Sequence, residues 1–425
     1  MSPSLGFWLL ADWFSTFRVL RMSAREIEAL SRERLSRLLV HVARTNDFYA
    51  RRLQDAGIEW ADALLERDPY RVLAAMTPVS KLELRRAGRR LLQGGRTRSY
   101  WYSSASSGST GEPFRVYYDA RAWARLKYLV KLRGRYACGA RLTDRIALLE
   151  TTDRRDHSAS AARWTRISVL QPPEKVAAAL KGFAPDLVYG LPSALLEAGR
   201  VLEAEGSRLD IRAIFTSGEL LHGMTRSRLE HLYGATIFDV YGTSETKEIA
   251  WQCSAGRMHL NQDVVHVEVV DDLGHAVPAG VEGDLVATSL VNTAMPLLRY
   301  RTGDRGVLLN ERCSCGCALP LLGVVTGRSA DTLVLQDGYR VSPYALTCAI
   351  ERVPGLLRYQ VSQVDRSRLR VRAIPDAGAD RAAITAQVRT ALRYDVAPFL
   401  DADVEFVDRL PSGPRAKFRV VEALQ

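Results

Sequence analysis

Between Ser103 and Pro113 the chain reads Ser-Ser-Ala-Ser-Ser-Gly-Ser-Thr-Gly-Glu-Pro. Gly108 and Gly111 carry no side chain to hold a ligand off, so their backbone N–H groups can approach a phosphate closely. Ser106, Ser107, Ser109 and Thr110 add hydroxyl donors around the same point. The chemistry these residue types suit is polyphosphate binding. It is not of the Walker kind, which needs G-x-x-x-x-G-K-[ST] leading into a helix. Here Glu112-Pro113 and a strand-like Phe114–Tyr118 come next. A serine-glycine tract alone is more often a flexible turn or linker than a phosphate cradle, so its assignment depends on what else the chain carries.

Thiols form a second candidate set. The chain has six cysteines: Cys138, Cys253, Cys313, Cys315, Cys317 and Cys348. Cys313-Ser-Cys315-Gly-Cys317 places three on one tight turn, and Cys253 and His259 lie six residues apart. In a chain read as cytosolic such a cluster points to metal before disulfides, and tetrahedral zinc takes four N/S ligands. Cys317 competes with His259 and Cys315 for a place, and a group of reduced buried thiols is the alternative. Cys138 and Cys348 are isolated and read as core. His41, His157, His222, His231, His266 and His275 show no ligand spacing.

Four motifs and a terminal segment follow the serine-glycine loop in order. They are Thr216-Ser217-Gly218-Glu219, Tyr241-Gly242-Thr243-Ser244-Glu245, Tyr300-Arg301-Thr302-Gly303-Asp304, Gly327-Arg328-Ser329-Ala330-Asp331, and Pro411 to Arg419 with Lys417. Each is weak alone. Together, in this order, the set resembles the adenylate-forming superfamily of acyl-CoA ligases, and within it the phenylacetate–CoA ligase-like branch. The resemblance covers nearly the whole chain. It implies Mg-ATP-dependent, AMP-forming activation of a carboxylic acid, perhaps an aromatic one, to an acyl-adenylate. Transfer to a thiol follows, with coenzyme A the first choice; an amine or a carrier-protein thiol is the rival acceptor, and a non-enzymatic nucleotide-binding scaffold the more distant one.

The same resemblance implies roles residue by residue. The Ser103–Gly111 loop would hold the β- and γ-phosphates, and Ser217, Gly218 and Glu219 would wall the adenine. Tyr241 would flank the base, with Gly242 and Thr243 beside it. Ser244 stands where the family usually has Thr. Glu245 matches the Mg²⁺ carboxylate, Asp304 the acid that takes the ribose hydroxyls, Arg328 a ribose or α-phosphate contact, and Lys417 the catalytic lysine on a terminal lobe that swings onto the nucleotide. Relatives in this branch carry a similar C…H…C-x-C pattern, which selects Cys253, His259, Cys313 and Cys315 as structural zinc ligands, with Cys317 as the alternative. Tyr136, Tyr189, Gly190 and Pro192 are candidates for the acid pocket. The chain departs from the family at Ala330, where relatives often carry Asp or Lys, and at Ala416, in place of the usual Gly. Phe114-Arg115 stands where many relatives outside the branch have a lysine.

The elements that must position these residues are legible in outline. At 425 residues the chain exceeds one ordinary core. Ser23–Gly94 has helical periodicity. From Arg145 short apolar runs alternate with helices: strands at Arg145–Leu149, Leu187–Tyr189, Ile211–Thr216 and Thr236–Tyr241, helices at Ser193–Glu205 and Thr225–Tyr233. This alternation predicts an open α/β sheet. His259–Val270 and Gly283–Ser289 read as β-rich, and a compact α+β unit follows Gly327. The fold class is therefore α/β. A large domain, 1–326, comprises a helical region to about residue 94 and an α/β core from 95; a small mobile α+β domain, 327–425, carries Lys417.

Composition narrows the partners. The formal net charge is +11, from 59 Lys and Arg against 48 Asp and Glu. A basic surface attracts nucleic acid, anionic membrane or polyanionic cofactors. No helix-turn-helix, finger or RNA-binding signature accompanies the charge, so nucleic acid is not expected. Leu5–Leu20 is aromatic-rich but interrupted by Asp12 and Arg18. It reads as a helix docked on the protein body, neither a secretion signal nor a membrane anchor. A cytoplasmic location is expected, with a homodimer left open.

Overall fold

A computed structural model of the chain describes residues 3–58, 68–105, 114–151, 163–328, 331–376, 378–411 and 418–424. Packing divides the chain into two compact units. The first is Met1–Arg141 with Val240–Val324, the second Leu142–Asp239 with Val325–Gln425. The last of these cuts falls beside the boundary read from sequence at 327. The inner two return the chain from one unit to the other, a pattern that no local composition shift announces.

The first unit opens with helices whose starts are written in their caps. Ser23 accepts a hydrogen bond from the Glu26 N–H at 3.3 Å, and the Glu26 carboxylate accepts one from the Ser23 N–H at 2.7 Å. This capping box starts helix Ala24–Thr45, which buries Ile27, Leu35, Leu38, Leu39 and Val42. Ser80 and Glu83 repeat the device and start helix Lys81–Ala87, so Lys81 holds its first position. Just before it, the Arg301 N–H donates to the Val79 carbonyl at 2.9 Å. That bond ties the helix start to strand Tyr300–Leu309, which carries Asp304.

The aromatic N-terminus forms helices Pro3–Ala11 and Trp13–Arg18. Asp12 between them is 2% exposed, and its carboxylate takes Arg121 at 2.9 Å and Arg125 at 2.8 Å. The fully buried Arg133 donates to the Thr16 carbonyl at 3.1 Å and, through both terminal nitrogens, to Asp263 at 2.8 and 3.0 Å. Docking on the body is thus electrostatic as well as apolar. Phe7, Leu10 and Phe14 remain exposed.

Strands Tyr102–Ala105 and Arg115–Tyr118 pair antiparallel, with Ala105 opposite Arg115. The pairing brings together the two ends of the serine-glycine loop. Its first strand begins at Tyr102, after a turn at Ser99 and Tyr100. The remaining strands of this unit follow the spatial order Val265–Val270, Glu282–Ser289, Tyr300–Leu309, Leu321–Arg328, Met258–Leu260, Lys247–Gln252 and Thr236–Thr243. The pairs Val265–Val270 with Glu282–Ser289, Met258–Leu260 with Lys247–Gln252, and Lys247–Gln252 with Thr236–Thr243 are antiparallel. The β-rich stretch expected from His259 onward is this sheet.

In the second unit, strands Ala213–Ser217, Leu187–Gly190, Ile146–Glu150 and Trp164–Ser168 lie side by side and parallel. Helices Pro173–Phe183, Pro192–Ala204 and Gly223–Tyr233 pack on them around Leu149, Val188, Leu195, Ile214 and Leu229. This is the open α/β layer the alternation predicted, with a strand at Trp164 and a helix at Pro173 that the sequence reading left out. Residues from Leu333 onward build a separate core around Leu346, Ile350, Val361, Val371 and Val388. Its four-stranded sheet runs in the order Asp401–Phe406, Arg368–Pro375, Leu356–Gln363, Val421–Glu422. Among the described residues no helix is long and apolar enough to cross a membrane.

Candidate active site and candidate metal centre

Within the first unit, strand Thr236–Thr243 ends in the Tyr241–Glu245 motif. Gly242 is required there, because a Cβ at that position would stand 2.4 Å from the Lys247 carbonyl oxygen. The turn behind it is tied by the Thr243 hydroxyl, which accepts the Thr246 N–H at 3.0 Å. Tyr118 donates to the Glu245 carbonyl at 2.6 Å and so fixes the backbone from the hairpin.

The Glu245 side chain is 5% exposed. Its Oε1 lies 2.9 Å from the Lys81 ammonium, but the approach is too oblique for a hydrogen bond, and no other donor reaches that buried oxygen among the described residues. The carboxylate is thus held by charge and not by a hydrogen-bonded cage, and it is a hard oxygen ligand of the kind Mg²⁺ selects. The residues present therefore fit the ion.

Tyr241 and Asp304 meet directly, the Tyr241 hydroxyl donating to Asp304 Oδ2 at 2.9 Å. Burial, reinforced by the Asp304 charge, holds the Tyr241 phenol well above its ordinary range, so it stays a donor. Thr302 shapes the Asp304 turn by accepting the Asp304 N–H at 3.1 Å and donating to the Leu285 carbonyl at 3.0 Å.

Two lysines escaped the sequence reading. Lys81 is one. The other, Lys247, is buried, donates to the Ser244 carbonyl at 2.7 Å, and lies over the rings of Tyr118 and Trp123 at 4.9 and 5.5 Å. Burial, with repulsion from Lys127 and Lys131, brings its ammonium down to about 7 against the pull of Glu245. Its backbone holds φ +67°, an uncommon conformation for a side-chain-bearing residue. A helix-capping pattern at Ser80 was the one sequence signal pointing at Lys81; nothing local marks Lys247.

Within the second unit, Ser217 closes strand Ala213–Ser217 and Gly218 turns the chain with φ +87°. The Glu219 carboxylate then accepts the Ser193 N–H at 2.9 Å, the Ser193 hydroxyl at 2.8 Å and the Phe418 N–H at 2.8 Å. Gly327 has φ +112°, and a Cβ there would meet Pro343 at 2.8 Å. Among the acid-pocket candidates, Tyr136 is exposed and packs edge-on against Phe17 at 5.6 Å. Gly190 touches Leu149, whose Cβ would lie 2.8 Å from an added Cβ. Ser106 to Gly111, Ser329, Ala330 and Lys417 lie outside the described residues, as does the Arg328 side chain.

The metal-ligand candidates converge. Ligand atoms of Cys253, His259, Cys313 and Cys315 all lie within 4.8 Å of one another. Cys253 Sγ is 3.6 Å from Cys313 Sγ, and Cys315 Sγ is 3.2 Å from His259 Nε2. Tetrahedral zinc at ordinary bond lengths requires about 3.8 Å between two thiolates and about 3.6 Å between thiolate and imidazole. His259 Nδ1 lies 3.1 Å from the Leu319 carbonyl. Donation there leaves Nε2 as the acceptor that faces the thiols, the usual arrangement of a ligating histidine. The set is compatible with zinc, and Cys317 stands outside it. Cys138, half-buried, donates to the Gln252 carbonyl at 3.2 Å.

No family model matches the chain. A phenylacetate-coenzyme A ligase of Thermus thermophilus is 28% identical over 367 residues, which span 79% of this chain and 78% of that protein. One from Pseudomonas putida is 30% identical over 259 residues, 56% of this chain and 57% of that protein. Among solved structures, a 2-hydroxyisobutyryl-CoA ligase in the postadenylation state with 2-HIB-AMP superposes with a TM-score of 0.80 at 21% identity. The match covers 96% of this chain and 91% of that one.

Proposed function

Since the chain belongs to the adenylate-forming superfamily and is phenylacetate–CoA ligase-like, we propose that it activates a carboxylic acid with ATP and passes the acyl group to coenzyme A. A carboxylate oxygen attacks the α-phosphorus, the bond to the β-phosphate breaks, and pyrophosphate leaves. The coenzyme A sulfur, as thiolate, then attacks the acyl carbon and AMP leaves. The observation that carries this reading is the buried Glu245 carboxylate, paired with Lys81 but not caged by hydrogen bonds, just past the strand that also delivers Tyr241 to Asp304.

The acid is ionised at neutral pH, so its attack needs no general base. The first step needs charge neutralisation. Glu245, with the Ser244 hydroxyl next to it in sequence, would hold Mg²⁺, which would supply electrostatic stabilisation of the phosphate oxygens. Lys417 supplies an ammonium, the backbone and hydroxyls of Ser106–Gly111 bind the β- and γ-phosphates, and Asp304 accepts from the ribose hydroxyls. Ser217, Gly218 and the backbone at Glu219 wall the adenine, with Gly242 and Thr243 next to Tyr241 at the base and Arg328 at the ribose or α-phosphate. Gly327–Asp331 is the hinge of a domain that begins at 327. Cys253, His259, Cys313 and Cys315 would hold zinc, which would pin the loop after Glu245 to the segment after Asp304. Thiol ligation of this kind suits the reducing cytoplasm. The acid is aromatic in this reading, and its carboxylate is the only group the chemistry requires.

The test is carboxylate-dependent exchange of pyrophosphate into ATP across a panel of acids, with Lys417→Ala as control. Exchange by the wild type, lowered about a hundred- to a thousand-fold by Lys417→Ala, is the expected result. No exchange with any acid overturns the reading. AMP release with coenzyme A, compared with a panel of amines, then identifies the acceptor.

A further inference from the structure

Both oxygens of the Glu219 carboxylate are engaged by groups of this chain. Ser193 lies in the first turn of helix Pro192–Ala204, where N–H groups lack partners within the helix. Glu219 Oε2 accepts the Ser193 N–H, and Oε1 accepts the Ser193 hydroxyl. A carboxylate is favoured at that end of a helix by the dipole as well. Glu219 is thereby anchored on the α/β layer, and its Oε1 also accepts the Phe418 N–H.

That donor is the amide of the Lys417–Phe418 peptide bond. The ring of the same residue is also held. The Arg358 guanidinium, on strand Leu356–Gln363, lies 5.0 Å from the Phe418 ring centroid. Arg358 also pairs with Glu197, a residue of the very helix that anchors Glu219. Backbone and ring of Phe418 are therefore held by two acids, Glu219 directly and Glu197 through Arg358; Ser193, which anchors Glu219, stands one helical turn before Glu197. The donor groups are backbone and hydroxyl, so this grip does not depend on the identity of residue 417.

We infer that Glu219 is a positioning residue: its carboxylate latches the peptide bond between Lys417 and Phe418 and so sets where the Lys417 ammonium is delivered. The inference rests on the reading of Lys417 as the group that acts in adenylation. It gives Glu219 a task distinct from the adenine wall, which its backbone and Gly218 can form without the side chain.

The latch can be read without turnover. Trypsin cleaves after lysine and needs its scissile bond unpaired, and here the N–H of that bond is the one Glu219 holds. In Glu219→Ala, cleavage at Lys417–Phe418, followed by mass spectrometry in the native full-length chain, is expected to accelerate about tenfold, the weight of one charge-assisted hydrogen bond. Glu219→Gln, which has the same shape and keeps one acceptor oxygen, should fall between. In pyrophosphate exchange, Glu219→Ala should lower kcat about tenfold with KM for ATP within about twofold. Transfer to coenzyme A from supplied acyl-adenylate should fall distinctly less. Unchanged cleavage in both variants overturns the latch. So does a raised KM for ATP at unchanged kcat, which would return Glu219 to the nucleotide. Wild-type chain that shows no exchange with any acid defeats the proposed function, while the proteolysis arm still decides the latch.

Discussion

Gly242 is the residue where sterics leave least choice. A methyl group there would stand 2.4 Å from the Lys247 carbonyl oxygen, inside any allowed contact, and the turn carrying Glu245 would have to move. Gly242→Ala should destabilise the chain by about 1–3 kcal/mol, the range for overpacking, seen as a lower denaturant midpoint. Glu245→Gln tests charge at constant size. Exchange should fall about a hundred- to a thousand-fold, with the residual rate no longer saturating at low Mg²⁺. Both residues could be picked from Tyr-Gly-Thr-Ser-Glu in the sequence. Lys81, 2.9 Å from Glu245, could not, because a pair so distant along the chain leaves no periodic trace. The Glu219 side chain shows the converse: its motif was visible, but its partners Ser193 and Phe418 were not.

At the scale of elements, the Cys253–His259 loop and the Cys313–Cys315 turn are joined by their ligand atoms. The purified chain should contain one zinc. Chelation, or Cys313→Ser, should remove it and lower the thermal midpoint by roughly 5–10 °C, the equivalent of a few kcal/mol in a unit of this size. A second element-level effect sits at helix Gly223–Tyr233. His222 stands at its N-cap position, buried, with no hydrogen bond to its Nε2 among the described residues, and 3.9 Å from Glu351. Burial pushes its imidazole down to about 4, whereas in the unfolded chain it titrates near about 6.5. The folded form therefore binds this proton less tightly. Stability from the neutral imidazole is complete above about pH 6.5 and is lost as pH falls toward 4. Glu351, raised by burial, opposes the slope at its acid end. His222→Gln should flatten the decline of the denaturation midpoint between about pH 6.5 and 5. Strands at Ile146–Glu150, Leu187–Gly190 and Ala213–Ser217 were legible as apolar runs bounded by helices. Trp164–Ser168 was not: it is a largely exposed strand whose Arg166 interrupts the apolar pattern.

For the whole molecule the controlling quantity is charge. A surplus of +11 should draw the phosphates of coenzyme A and be screened by salt. KM for coenzyme A is expected to rise several-fold between about 50 and 300 mM salt, while KM for an uncharged amine acceptor should stay nearly level. Steady-state kinetics at fixed Mg-ATP would show it. The same surplus has an internal use at the start of the chain. Asp12 neutralises Arg121 and Arg125, and the Thr16 carbonyl serves Arg133. Trimming the first twenty or so residues would take the Asp12 carboxylate from the buried Arg125 and the exposed Arg121, and the Thr16 carbonyl from Arg133, which keeps Asp263. Such a shortened product should come out of the cell insoluble and in poor yield, a failure of folding easily mistaken for a dead enzyme.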